Sequence, residues 1–232
     1  MHIRTGDVRT CGADIPPLCN DVQGIETPII LTENTMTTKP RIAIILGSTR
    51  DSRFGMKPAQ WIFDKAVARG DWDVELVDLQ DFDLPLFNEV ASNAWAPSED
   101  SRAVAWQKKV GEFDGYIFVT PEYNRSITGA LKNALDQAYV EWNRKAYGIV
   151  SYGSVGGTRA AEHLRTIGIE LQMASTRSAV HIGGGDFFAV HPLGGQNKEI
   201  SEIEGSIGAS ADATLSELDW WTRATMAARA AA

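Results

Sequence analysis

Between the apolar run Ile42 to Leu46 and a following helical pattern lies Gly47-Ser48-Thr49-Arg50-Asp51-Ser52-Arg53-Phe54-Gly55, which carries three hydroxyls and two guanidiniums. Backbone N–H groups at a helix start bear partial positive charge, and these side chains add donors, so the segment is shaped for a phosphate. The Gly-Lys ending of a P-loop is absent, as are the glycines that admit a pyrophosphate, which leaves a terminal phosphomonoester as the better match. Two more segments suit the edge of a flat ligand. In Thr120-Pro121-Glu122-Tyr123-Asn124-Arg125-Ser126 the proline shapes the backbone, and Asn124 and Ser126 can fix it with side-chain bonds. In Ser151-Tyr152-Gly153-Ser154-Val155-Gly156-Gly157-Thr158-Arg159 the glycines allow close backbone approach. Read singly, either of these two is more often a structural turn than a site.

The elements that must position these loops follow from hydrophobic periodicity. Ile42 to Leu46 is continuous and apolar, as a central strand covered on both faces would be. A helix is expected from about Lys57 to Arg69 with Pro58 in its first turn, a strand at Asp73 to Leu79, and a long loop at Asp81 to Pro97. Ser98 is expected to cap a helix to about Glu112, followed by a strand at Tyr116 to Thr120 and a helix from about Thr128 to Trp142. A strand at Ala146 to Tyr152, a helix from about Thr158 to Met173 and a strand at Arg177 to Ile182 complete the alternation. Glycines 183 to 185, 194 and 195 mark a loop before one or two final helices ending near Ala228, where Trp220 and Trp221 are expected to pack an amphipathic face. Strands alternating with helices imply a parallel sheet with right-handed crossovers. Ligands of such sheets sit beyond the carboxyl ends of the strands, where strand order reverses, which is where the three loops converge.

Together the loops supply phosphate donors, peptide edges and an open ring face, the needs of flavin mononucleotide. The motifs Gly47-Ser48-Thr49-Arg50-x-x-Arg53-x-Gly55, Pro121-Glu122-Tyr123-Asn124-x-Ser126, Leu131-Lys132-Asn133-Ala134, and Ser151-Tyr152-Gly153 with Gly157-x-Arg159-Ala160 resemble those of the NADPH-dependent FMN reductase family. That family is flavodoxin-like and includes quinone, azo-dye and chromate reductases. The resemblance covers about Arg41 to His181 and implies an α/β fold with a five-stranded parallel sheet in the order 2-1-3-4-5 and helices on both faces. It implies FMN as cofactor, NADPH or NADH as co-substrate, a small-molecule acceptor such as a quinone or free flavin, and a homodimer or homotetramer. The phosphate would be held by Ser48, Arg50 and Arg53, with Ser52 where relatives often have glycine. The isoalloxazine would rest on Pro121, Glu122, Tyr123 and Asn124 with Ser126 nearby, and against Gly153, Ser154 and Gly156. Thr128 stands where relatives commonly carry proline, and a threonine can cap the helix that follows. The reaction needs no protein nucleophile or base, so no catalytic residue is assigned.

Composition narrows the alternatives. The chain is 44% hydrophobic and 22% charged, the balance of a globular protein. A formal charge of minus 8 without a basic cluster argues against a nucleic-acid partner. No stretch of eighteen apolar residues predicts a membrane helix. Cys11 and Cys19 offer no disulfide framework, and acids interrupt the N-terminal region where a signal peptide would need an apolar stretch, so the expected compartment is the cytoplasm. Residues 1–38 read as a disordered or weakly attached extension, with a start at Met36 as a possible shorter product, and 39–232 as the FMN-binding domain. The four histidines lack the spacing of a metal site and read as structural. Trp95 has two readings, lining the open ring face or a subunit contact. The competing functions are a flavodoxin-like electron carrier, against which Arg50, Arg53 and Arg125 in the site loops argue, and a non-catalytic flavin-binding redox sensor.

Overall fold

A computed structural model describes residues 38–232; the expectations placed on 1–37, including Cys11, Cys19 and the Met36 start, lie outside the described residues. The elements are β1 (Arg41–Leu46), α1 (Met56–Ala68), β2 (Asp73–Asp78), α2 (Ser101–Gly111), β3 (Gly115–Pro121), α3 (Gly129–Asp136), β4 (Ala146–Tyr152), α4 (Thr158–Glu170), β5 (Ala174–Ser175), β6 (Val180–Ile182), α5 (Gly184–Val190) and α6 (Glu204–Ala230). All strand pairs are parallel, in the order β2-β1-β3-β4-β5, with β6 also pairing with β4.

Every residue of β3 and β4 is buried, and the period-2 alternation divides the sheet between two cores. Ile42, Ile44 and Leu46 face α1 and α6, packing with Ile62, Ala66, Leu215 and Leu218. Ala43 and Ile45 face α2, α3 and α4, packing with Trp106, Leu131 and Leu164. Truncating a side chain such as Ile44 to alanine costs roughly 2–5 kcal/mol in a site of this kind. The expected three-layer arrangement and strand order are therefore present, with α1, α5 and α6 on one face.

Several boundaries differ, each for a local reason. Asp100 and not Ser98 caps α2, accepting from Arg102 N at 2.8 Å, because the Ser98 hydroxyl is taken by Gln107 Nε2 at 2.7 Å. The helix expected to reach Trp142 stops at Asp136. Trp106 Nε1 bonds Ala134 O at 2.7 Å, Gln107 Nε2 bonds Gln137 O at 2.7 Å and Trp142 Nε1 bonds Leu135 O at 3.2 Å, so side chains satisfy the carbonyls a further turn would have used. α4 ends at Glu170, not Met173, where Gln172 adopts φ 56° and Met173 N–H reaches back to Gly168 O at 2.8 Å. The strand expected at Arg177 to Ile182 is reduced to β6 at Val180–Ile182, since Ser178 is drawn to Glu217 at 2.6 and 2.9 Å and Arg165 takes the Arg177 carbonyl at 2.9 Å, while the short β5 at Ala174–Ser175 lies upstream of the expected range. The glycines at 184 and 185 open α5 instead of a loop.

Trp220 and Trp221 do not pack the core. α6 buries the stripe Ile207, Ala211, Leu215, Leu218, Thr222 and Met226, and the two tryptophans fall off it, 63% and 40% exposed, as an edge-to-face pair 4.8 Å apart. Trp95 is also exposed. No helix among the described residues is long and apolar enough to cross a membrane.

Candidate functional site

The first loop is pinned at Gly47, whose N–H donates to Val119 O of β3 at 2.8 Å and whose carbonyl accepts from Thr128 Oγ1. Beyond it, the N–H groups of Ser48 to Ser52 reach no other backbone carbonyl among the described residues. α1 starts with Gly55 as its cap, without a side-chain cap or an acid in the first turn, so its positive end is uncompensated. A Cβ at Gly55 would collide with the Tyr152 hydroxyl and lie 2.9 Å from Leu46 Cδ1, which explains glycine at this close approach. Tyr152 lies beneath the loop, and burial pushes its phenol up and keeps it neutral.

The second loop leaves β3 with Glu122 N–H still on the ladder, donating to Tyr152 O at 3.1 Å. Tyr123 and Ser126 then exchange both backbone bonds, at 2.9 and 3.0 Å, across Asn124 (φ 49°) and Arg125 (φ 70°). Two positive φ values in a two-residue connection make a type I′ turn. The main chain, not the Asn124 side chain, thus fixes this loop, while Ser126 Oγ bonds His163 Nδ1 of α4 at 2.6 Å. The hydroxyl of Thr128 caps α3, accepting from Leu131 N at 3.0 Å, so threonine does supply the cap expected of it.

In the third loop Ser151 Oγ donates to Gly156 O at 2.7 Å, and Gly153 N donates to Ile182 O at 3.1 Å. Gly157 caps α4 at φ 68°; a Cβ there would lie 2.7 Å from Ser151 Cβ and 2.8 Å from Tyr152 N. Side chains join the three loops. Arg50 Nη1 donates to Tyr123 Oη at 3.4 Å, and the shielded Glu122 carboxylate accepts from Arg159 N at 3.2 Å and pairs with its guanidinium at 2.5 Å.

The structure thus brings together Ser48, Arg50, Pro121, Glu122, Tyr123, Asn124, Ser126, Gly153 and Gly156 at the carboxyl ends of β1, β3 and β4. Arg53 is turned aside, its guanidinium on Asp78 and Gln80 at the end of β2. Ser52 and Ser154 are exposed on their loops. Beside the phosphate loop, Thr49, Gln80, Leu84, Leu86, Ala130 and Asn133 line a cavity of about 330 Å³.

A model of the family described as NADPH-dependent FMN reductase matches residues 40–186. The chain belongs to the NADPH-dependent FMN reductase family. An NAD(P)H-dependent FMN reductase of a Nectria species is 38% identical over 130 residues, covering 53% of this chain and 65% of that protein, just under two thirds. One from Schizosaccharomyces pombe is 34% identical over 154 residues, 65% of this chain and 77% of the relative. The solved structure of a flavoenzyme NAD(P)H:(acceptor) oxidoreductase from Paracoccus denitrificans shares the fold, with a TM-score of 0.57 at 21% identity over 78% of this chain and 97% of that one.

The donor set fits the flavin of this reductase family. Unspent amides at an uncapped helix start suit a phosphate, and the glycine-shaped third loop offers backbone to a ring. Sequence reasoning left several members of the site unassigned. Arg159 and Tyr152 were visible only as parts of motifs, and His163 only as a helix histidine. The Asp81 to Pro97 loop carried only the two readings of Trp95, yet Asn133 of the Leu-Lys-Asn motif holds it, donating to Pro85 O at 2.7 Å and accepting from Phe87 N at 2.9 Å.

Proposed function

We propose that this protein is an FMN-dependent oxidoreductase that draws hydride from NADPH or NADH and passes electrons to a quinone, a free flavin or a similar small acceptor. The observation that carries the reading is the linkage of three loops at one end of a parallel sheet, one rich in unspent N–H donors and two offering peptide edges. Ser48, Arg50 and the amides through Ser52 hold the phosphate, while Arg53 braces the loop against β2. Main chain of Pro121 to Asn124, with Ser126, and the turn at Gly153, Ser154 and Gly156 border the ring. Bound there, FMN supplies the redox chemistry, and the protein binds, orients and excludes water. Glu122 and Arg159 neutralise one another, so neither is offered as an acid or base.

The same reading includes self-association as a homodimer or homotetramer, supported by the exposed Leu86, Val90 and Trp95 of the Asp81 to Pro97 loop and by the Trp220–Trp221 pair. It also includes work in the cytoplasm, supported by the absence of a disulfide framework in the sequence.

The test is an absorbance spectrum of purified protein given FMN, followed by anaerobic titration with NADPH and NADH. Bleaching of the bound flavin by either coenzyme supports the reading. Failure to bind FMN overturns it, and flavin reducible by dithionite but untouched by millimolar coenzyme supports an electron carrier instead. Sedimentation of the FMN-saturated protein as a monomer at micromolar concentration would remove the oligomer.

A further inference from the structure

Arg125 occupies the second central position of a type I′ turn, where glycine is the favoured residue because φ must be positive. It holds φ 70° with a full side chain, is exposed at the hairpin tip, and makes no side-chain hydrogen bond or ion pair among the described residues. Such strain in a non-glycine residue persists only where the surrounding structure holds it, and it clusters at functional sites. Two neighbouring cations are spent on acids, Arg53 on Asp78 and Arg159 on Glu122, and the third, Arg50, lies in the loop after β1, at the phosphate end of the site, with one nitrogen on the Tyr123 phenol. The tip itself is held firmly, by the Tyr123–Ser126 backbone pair and by Ser126 on His163 at 2.6 Å. Arg125 is therefore an unspent guanidinium carried by a firmly held turn at the ring end of the site.

The flavin phosphate belongs at the other end, on the loop after β1, so an anion meeting Arg125 comes with the second ligand. Quinones and riboflavin bring none, and of the second ligands only free FMN and a nicotinamide coenzyme carry phosphate. A nicotinamide coenzyme stacked on the ring brings its pyrophosphate over the loops and its adenosine to the rim, and a terminal monoester is the group a guanidinium fork grips best. We propose that Arg125 recognises the 2′-phosphate of NADPH and sets the preference for NADPH over NADH. This deepens the functional reading above and rests on it.

The experiment compares FMN-loaded wild type with Arg125→Gly, which suits the turn, and Arg125→Lys, which keeps the charge. The ratio of kcat/KM for NADPH to that for NADH should fall about tenfold to a hundredfold in the glycine variant, carried mainly by KM, with part of it restored by lysine. Calorimetric binding of 2′,5′-ADP should weaken by a similar factor, while 5′-AMP distinguishes the variants little. Equal losses with both coenzymes would assign Arg125 to the pyrophosphate or to the fold and overturn the proposal, as would an unchanged ratio. If neither coenzyme reduces the flavin of the wild type, the functional reading falls. The 2′,5′-ADP arm then still decides recognition: binding that depends on Arg125 upholds it, and binding indifferent to Arg125 refutes it.

Discussion

Lys145, one residue before β4, is a buried ammonium that should destabilise the protein at neutral pH. It is 8% exposed, and Nζ donates to Tyr116 Oη at 3.0 Å, Gly111 O at 3.3 Å and Val110 O at 3.4 Å, with no carboxylate pairing with it among the described residues. Burial, reinforced by Arg229 and opposed by Asp114 and Glu141, lowers its pKa from 10.5 to about 8. Between those values the unfolded chain holds a proton that the native state has released, so stability rises with pH across that window. At about 1.4 kcal/mol per pH unit the span amounts to about 3 kcal/mol of destabilisation below pH 8. Lys145→Met removes that cost but leaves Gly111 O without its donor, a loss of about 1 kcal/mol. The variant should therefore be about 2 kcal/mol more stable at pH 7, melting roughly 4–8 °C higher for a domain of this size. Urea unfolding of both proteins at pH 7 and pH 10 measures it. Tyr116, whose phenol is pushed well up by burial, stays neutral throughout. A variant less stable at pH 7, or one whose lead persists undiminished at pH 10, would refute the reasoning.

The phosphate loop predicts a split between ligands: Ser48→Ala and Arg50→Ala should weaken FMN by roughly tenfold to a hundredfold, less for serine, and leave riboflavin nearly unchanged in a fluorescence titration. Arg53→Ala, by contrast, strips Asp78 of its partner and should weaken both ligands alike while lowering the melting temperature. If, as proposed, one ring face bounded by the Tyr123 and Gly153 loops serves donor and acceptor in turn, initial-rate plots should give parallel double-reciprocal lines, and intersecting lines would reveal a second subsite. His181, whose Nδ1 meets the buried Ser151 hydroxyl at 2.7 Å, faces a structural partner, so His181→Gln in FMN-loaded protein should leave flavin reduction by NADPH nearly unchanged.

The parallel sheet was legible because its strands are nearly pure apolar runs and its helices carry clear stripes. Boundaries misread from sequence lie where a side chain from elsewhere in the chain satisfies the backbone. No local window shows that Trp106, Gln107 and Trp142 will take the carbonyls at which α3 ends, or that Glu217 will pull Ser178 out of the fifth strand. Trp220 and Trp221 were misjudged for a related reason. Hydrophobicity places them inside, but the angular stripe through Leu215, Leu218 and Thr222 leaves them facing out.

The site divides along the same line. The residue types of the loops announced a phosphate and a flat ring, since donors and glycines act through chemistry that composition reveals. Which donors are still unspent could not be read, because that depends on partners distant in the chain. Asp78 and Gln80 lie 25 and 27 positions from Arg53 and occupy its guanidinium, and Glu122 lies 37 positions from Arg159 and occupies that one. A cation's availability to a ligand is thus a property of the folded charge balance. That balance separates Arg50 and Arg125, which pair with no carboxylate among the described residues, from Arg53 and Arg159, whose charges are spent on Asp78 and Glu122.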